Sequence, residues 1–284
     1  MQRRTPALIL AAALSLGTLA ACGSSGSSGP SGSDGATTTK ADGSDTKATV
    51  TPVSEPLTIL VGNDDGYSAE GIDTLVTALL TLDDVDVTVV APLTQQSGQG
   101  GKTTPDTELE VTDVQTKGGY PAKAVDGYPA DAINVAFDEL GIEPDVVITG
   151  INEGQNLGNL VDISGTVGAA RAAAKHGVPA LATSQGTTSF DYDSAIPFIL
   201  DWIKEHRDDL TAGKVDAGVT SMNIPSCESG EIRGLLEPEV ADTVENAIHD
   251  QDCESTTPEA DLTTDIEAFN AGFVTLTPVP TTAN

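Results

Sequence analysis

The sequence predicts an α/β domain, a Rossmann-like, doubly wound, mostly parallel sheet with helices on both faces and a small C-terminal annex. Three observations predict it. Short apolar runs alternate with segments of helical period. The runs have the character of strands covered on both faces. Unusual polar residues collect just after those runs, where sheets of this kind bind ligands.

The elements follow in order. Leu57 to Val61 is a strand that stops at Gly62. Ile72, Leu75, Val76, Leu79 and Leu80 form the i, i+3, i+4, i+7, i+8 stripe of an amphipathic helix. Val85 to Ala91 is strand-like and ends at Pro92. Asp131 to Leu140, after Pro129, is a short helix, and Val146 to Thr149 is a buried strand leading into Gly150. Thr166 to His176 is an Ala-rich helix closed by Gly177, with Pro179 beyond. Ala180 to Thr183 is a further strand. Ala195, Phe198, Ile199, Trp202, Ile203 and His206 make a second helical stripe, which places Trp202 in the core. Val215 to Met222 is strand-like. From Cys227 to about Asp265 the chain is acidic and weakly patterned, an irregular stretch or annex, and FVTLTPV supplies a last strand.

The first 56 residues do not belong to this domain. Arg3 and Arg4 precede an apolar stretch from Ala7 to Ala21, the pattern of a secretory signal. That stretch falls short of the roughly 20 apolar residues a bilayer span takes. It ends in Leu19-Ala20-Ala21-Cys22, which looks like the lipobox of bacterial lipoproteins, with Cys22 as the lipidated residue. The next residues, GSSGSSGPSGSDG and a Thr/Lys/Asp stretch, cannot bury enough apolar surface to offset their chain entropy. The expected organisation is a signal peptide at 1–21, Cys22 with a flexible Gly/Ser linker at 22–56, and one folded domain at 57–280. The protein is expected outside the cytoplasmic membrane, in the bacterial cell envelope, held to the membrane through the lipid alone.

The chain carries 43 Asp and Glu against 13 Lys and Arg. Nucleic-acid polymers and anionic lipid surfaces need basic patches, so this balance argues against both as partners. An acidic, solvated surface accounts for most of the charge. With Cys22 lipidated, Cys227 and Cys253 remain, and an exported location permits a disulfide between them. Two free thiols are the alternative.

Chemistry concentrates at three strand ends. The first strand ends in Gly62-Asn63-Asp64-Asp65-Gly66, and two adjacent carboxylates there are easiest to hold beside a cation. Gln95, Gln96, Ser97 and Gly98 follow the second, and Ile151, Asn152, Glu153, Gly154, Gln155 and Asn156 follow the strand at Val146. Asp64, Asp65, Ser97 and Asn152 are all oxygen donors, suited to one hard divalent ion, Mg²⁺ or Mn²⁺. Ser164-Gly165-Thr166 stands directly before the Ala-rich helix, where free N–H groups can hold a phosphate. Singly, Asp-Asp-Gly is often a turn and Ser-Gly-Thr a plain N-cap. Together they form the minimum kit for phosphoryl transfer to water. Gly98 to Thr103 imitates a P-loop, but the first glycine of that motif would have to be residue 96, which is Gln96.

Several ordered motifs resemble the SurE family of 5′/3′-nucleotidases: ILVGNDDGYSAEGI, VTVVAP with QQSG, GYPADAI, PDVVITGINEGQNLG, SGTVGAA followed by HGVPALATS, and AFNAGFVTLTP. The resemblance implies that Asp64, Asp65, Ser97 and Asn152 are metal ligands, with Asp64 or Asp65 handling the proton of the attacking water. It implies that Asn63, Asn156, Ser164, Gly165 and Thr166 line a phosphate site, and that nucleoside monophosphates are hydrolysed. The chain departs from the family's usual pattern at Gln95 and Gln96, where an Arg is common, at Ile163, where a Tyr is common, and at Ala172-Ala173, where Glu-Gly is common. The region that usually supports oligomer contacts is shortened and acidic, so a homodimer stays open. A lipid-tethered binding protein with the same metal site and no catalysis is the competing reading.

Overall fold

The computed structural model describes residues 55–189, 191–249 and 251–283. The expected signal peptide, Cys22 and all but the last two residues of the linker lie outside the described residues. Nine strands form one sheet. In chain order the elements are β1 (Leu57–Gly62), α1 (Glu70–Leu79), β2 (Val85–Pro92), β3 (Val111–Gln115), β4 (Pro121–Val125), α2 (Pro129–Asp138) and β5 (Val146–Glu153). Then come α3 (Gly165–Lys175), β6 (Ala180–Gln185), α4 (Ile196–Thr211), β7 (Val219–Ile224), β8 (Leu235–Leu236), α5 (Asp265–Asn270) and β9 (Val274–Val279).

The strand order is β3-β4-β2-β1-β5-β6-β7-β9-β8. All neighbours are parallel except β3 with β4 and β7 with β9. The chain winds one way from β1 to β2 and then crosses to place β5 on the other side of β1. The crevice beyond the carboxyl ends of β1 and β5 is therefore the topological switch point of the sheet, the place where such folds bind ligands.

The sheet is buried on both faces, as its apolar strands require. Ile59 and Val61 of β1 join Val146's alternate partner Ile148, the α1 stripe of Ile72, Leu75, Val76 and Leu79, and Trp202 of α4 in one core cluster. Leu60 and Val147 point the opposite way, into a second cluster with Ile133 of α2 and Val167 of α3. This is the two-residue alternation of a strand expressed as two separate cores. Full burial of Leu60 makes its truncation to Ala worth roughly 2–5 kcal/mol.

The hairpin of β3 and β4 was not expected. Val111–Gln115 is an edge strand whose side chains are all exposed or half-buried, so no apolar run marks it. The annex between β7 and α5 is largely irregular; among its described residues are the two-residue β8, a short 3-10 helix at Glu259–Asp261 and isolated bridges such as Gly230 to Cys253. A small core of its own, Ala241, Ala247, Ile266 and Phe269, also includes Leu157 from the loop after β5. Cys227 and Cys253 are joined by a disulfide, with Cα atoms 5.9 Å apart and a separation of 26 in sequence.

Closing a loop of that length stabilises a fold by about 3 kcal/mol through restriction of the unfolded chain. Replacing both Cys227 and Cys253 by Ser is expected to lower the melting midpoint by about 6–12 °C. Calorimetry on the purified domain checks it, and an unchanged midpoint would show that the bridge does not hold the annex.

Candidate active site at the ends of β1 and β5

The loop after β1 is built by Asn63. Its side-chain Nδ2 donates to the Gly66 carbonyl at 3.0 Å, and Gly66 N–H donates back to Asn63 Oδ1 at 3.1 Å. Gly66 has φ near +95°, which a side chain would strain. Asn63 is buried with both ends of its amide engaged in this turn, so it shapes the loop that presents Asp64 and Asp65.

Asp64 is 2% exposed. Thr166 Oγ1 donates to its Oδ1 at 2.6 Å. Burial pushes the Asp64 carboxyl up to about 6; the Thr166 hydroxyl works against that shift and the neighbouring Asp65 adds to it. Thr166 is itself placed by β5, because Thr149 Oγ1 donates to the Thr166 carbonyl at 2.9 Å. Gly165 touches the carboxylate so closely that a Cβ there would lie 2.7 Å from Asp64 Oδ2. Ser164 caps α3, accepting from Val167 N–H at 3.1 Å. Of the Ser164-Gly165-Thr166 turn, the first residue thus starts the helix, the second leaves room for the Asp64 carboxylate and the third bonds it.

Asp65 is half-buried and faces outward. Glu153 N–H donates to its Oδ2 at 2.9 Å. Burial raises its pKa, opposed by that N–H and by a hydrogen bond from the Gln95 side chain, with the Glu153 carboxylate adding to the rise. Gln95 Nε2 also donates to Ser97 Oγ at 2.5 Å, and Gln96 N–H donates to the Asp64 carbonyl at 2.7 Å. These bonds tie the Ser97 loop to the two aspartates. Asn152, at the end of β5, is 6% exposed. Its Nδ2 donates to the Gly154 carbonyl at 2.6 Å, and its Oδ1 is buried without a hydrogen-bond partner. Asn156 Nδ2 donates to Ser184 Oγ at 2.9 Å, at the end of β6.

The donor set fits a hard divalent cation. Asp64, Asp65, Ser97 and Asn152 offer only oxygens at the coordinating end. The orphaned Asn152 Oδ1 is an acceptor held out of water with nothing to accept from, which a cation would relieve. Among the described residues no three His, Cys, Asp or Glu side chains gather into a metal-ligating group, and the candidate set itself has only two carboxylates.

Next to Asp65 opens a cavity of about 610 Å³ lined by Ser68, Glu70, Gln95, Lys117, Glu153 and Tyr192. Burial, and then the Glu153, Asp65 and Glu70 carboxylates, hold the Tyr192 hydroxyl well above the ordinary phenol range. Lys117 sits on the β3–β4 turn, which is bound to α1 by Thr116 Oγ1 and Gly118 N–H donating to Asp73 at 2.6 and 2.7 Å. Tyr67, in the loop after β1, is partly buried and packs against the core. Sequence reasoning gave no role to Gln95, Glu153, Ser184 or Tyr192, although Gln95 lies inside QQSG, Glu153 inside PDVVITGINEGQNLG and Ser184 at the end of HGVPALATS; Tyr192 carried no signal.

Gly165→Ala is expected to destabilise the fold by about 1–3 kcal/mol, since the added methyl meets a buried carboxylate that has no room to move. Urea unfolding checks it. A neutral result would mean that Asp64 can swing away from α3.

The family model for "Survival protein SurE" matches residues 59–249. The chain is 39% identical over 187 residues to "5'-nucleotidase SurE" of Brevibacillus brevis, covering 63% of this chain and 70% of that one. It is 35% identical over 236 residues to "5'-nucleotidase SurE" of Desulfitobacterium hafniense, covering 78% and 90%. The crystal structure of the SurE protein from Aquifex aeolicus aligns with a TM-score of 0.63 and 27% identity, covering 80% of this chain and 94% of that one. The chain belongs to the SurE family.

Proposed function

We propose that the chain is a divalent-metal-dependent phosphomonoesterase that hydrolyses nucleoside monophosphates to nucleoside and phosphate. The observation that carries the reading is the convergence of Asp64, Asp65 and the unpartnered Asn152 Oδ1 at the switch point of the sheet. The names of the relatives support the substrate class. Asp64, Asp65, Ser97 and Asn152 would hold one Mg²⁺ or Mn²⁺. Bound there, the ion neutralises phosphate charge and lowers the pKa of water.

The chain's own groups supply the rest. Asp64 is locked by Thr166 and stays a fixed negative charge. Asp65 faces the cavity and is the carboxylate placed to orient the attacking water and take its proton. The water oxygen bonds to phosphorus, the ester P–O bond breaks, and the nucleoside leaves as its alcohol after the proton is returned to its oxygen. Asn156 and the Gly165 N–H steady the phosphoryl oxygens, since the next two N–H groups of α3 are taken, that of Thr166 by Asp64 and that of Val167 by Ser164. The cavity beside Asp65 accommodates the nucleoside.

The N-terminal pattern supports export and anchoring through Cys22. The Cys227–Cys253 disulfide is of a kind that persists in oxidising compartments. No helix among the described residues is long and apolar enough to cross a membrane, so attachment would fall to the lipid.

Asp64→Ala and Asp65→Ala are each expected to abolish phosphate release from nucleoside monophosphates while leaving the circular dichroism spectrum unchanged. Full activity in either, after chelation and return of Mn²⁺, would refute the assigned site. A wild-type protein that binds Mn²⁺ but releases no phosphate from any nucleotide would make it a binding protein. Cys22→Ser is expected to move the protein from the membrane fraction to the soluble fraction with its activity intact. Retention in the membrane would remove the lipid anchor.

A further inference from the structure

At the end of β7 stands Asn223, fully buried and three strands away from β1, which carries the aspartates. Its side chain does something unusual for a buried amide. Oδ1 accepts from Asn156 N–H at 2.7 Å, and Nδ2 donates to the Asn156 carbonyl at 3.3 Å. The amide therefore pairs with the backbone of Asn156 through both its donor and its acceptor, as a neighbouring strand would. Nδ2 also donates to Ser221 Oγ at 3.2 Å, and the Asn156 N–H, which can only donate, fixes which way round the amide lies. The loop it grips has left the sheet. β5 ends at Glu153, and the register of its pairing with β6 runs out at Glu153 opposite Gln185.

The same loop carries Asn156, whose side chain is held separately. Its Nδ2 gives one hydrogen to Ser184 Oγ, on the strand between β5 and β7. An amide nitrogen has two hydrogens, so one donor remains. With its backbone fixed by Asn223 and its side chain by Ser184, Asn156 is left one orientation in which to use that donor. Burying Asn223 carries a desolvation penalty that its hydrogen bonds must offset, and an apolar residue would fill the same place at a strand end without it. What the amide adds is the position of residue 156.

We propose that Asn223 is a positioning residue for substrate phosphate, acting with Ser184 through Asn156. The proposal rests on the nucleotidase reading given above. Asn223 itself does not touch the phosphate.

The test is a double-mutant cycle on the metal-loaded protein with a nucleoside monophosphate as substrate. Asn156→Ala and Asn223→Ala are each expected to lower kcat/KM on the order of 10- to 100-fold, the scale on which misplaced groups slow catalysis. The double variant is expected to be no slower than the slower single variant, because the two side chains serve one contact. Losses that multiply, or unchanged kcat/KM in Asn223→Ala, would overturn the proposal. If Asn223→Ala fails to fold, Ser184→Ala takes its place in the cycle with the same two outcomes, since it removes only the side-chain contact. A wild-type protein without nucleotide turnover would defeat the nucleotidase reading alone. The cycle is then read as the rise in melting temperature given by inorganic phosphate with Mn²⁺. Loss of that rise in both Asn156→Ala and Asn223→Ala supports the positioning role, and its survival in Asn223→Ala overturns it.

Discussion

The burial of Asp64 constrains everything around it. A carboxylate removed from water is unfavourable unless dipoles or charges replace the solvent. Among the described residues no ion pair is made to Asp64, and the Thr166 hydroxyl is the side chain that bonds it. That one bond requires α3 to begin where it does, a glycine at 165 to admit the carboxylate, and the Thr149 bridge from β5 to seat the helix. The start of a helix also carries partial positive charge, which favours an anion beside it. A hydroxyl and a helix end leave Asp64 only partly compensated, and its carboxyl sits near 6 as a result. A divalent ion shared with Asp65, as proposed above, would complete the compensation.

Sheet topology brings the remaining donors to this point. Asp64 and Asp65 follow β1, and Asn152 ends β5, its neighbour in the sheet. Ser97 follows β2, on the other side of β1, and reaches the aspartates through Gln95 and Gln96. Three loops that are far apart in sequence meet because the strands before them are consecutive in space. The cavity wall comes from elsewhere: Lys117 arrives on the β3–β4 turn, and Tyr192 from the segment between β6 and α4.

Sequence legibility followed the apolar signal. β1, β2, β5, β6 and β7 were visible from their buried apolar runs, and α1 and α4 from their stripes; β4, though parallel to β2, was not. Nor was β3, since none of its side chains is fully buried and only Val111 and Val114 pack against the core. Asp64, Asp65, Ser97 and Asn152 were legible as oxygen donors at strand ends, from types and order alone. The engagement of individual groups was not. Asn63 turned inward to close its own loop, and Thr166 turned to Asp64, because hydrogen-bond partners depend on rotamers that the sequence does not state. Asn223 lay inside an apolar strand ending and carried no pattern. Its partner is 67 positions away.

The annex leaves the sheet at β7 and returns at β9, and those two strands lie side by side. Its ends are therefore pinned together by backbone pairing, whatever lies between them. Doubling the length of a loop so closed changes its closure entropy by only about 0.6 kcal/mol. The segment is thus a site where evolution can insert or delete residues with little penalty to the sheet. Its points of attachment are a different matter. Gly158 N–H donates to Asp265 at 2.8 Å and Asn159 N–H to the Thr243 carbonyl at 3.1 Å, immediately after Asn156. Relatives of this chain are free to differ in how long the excursion is, but much less free in where it comes back to rest.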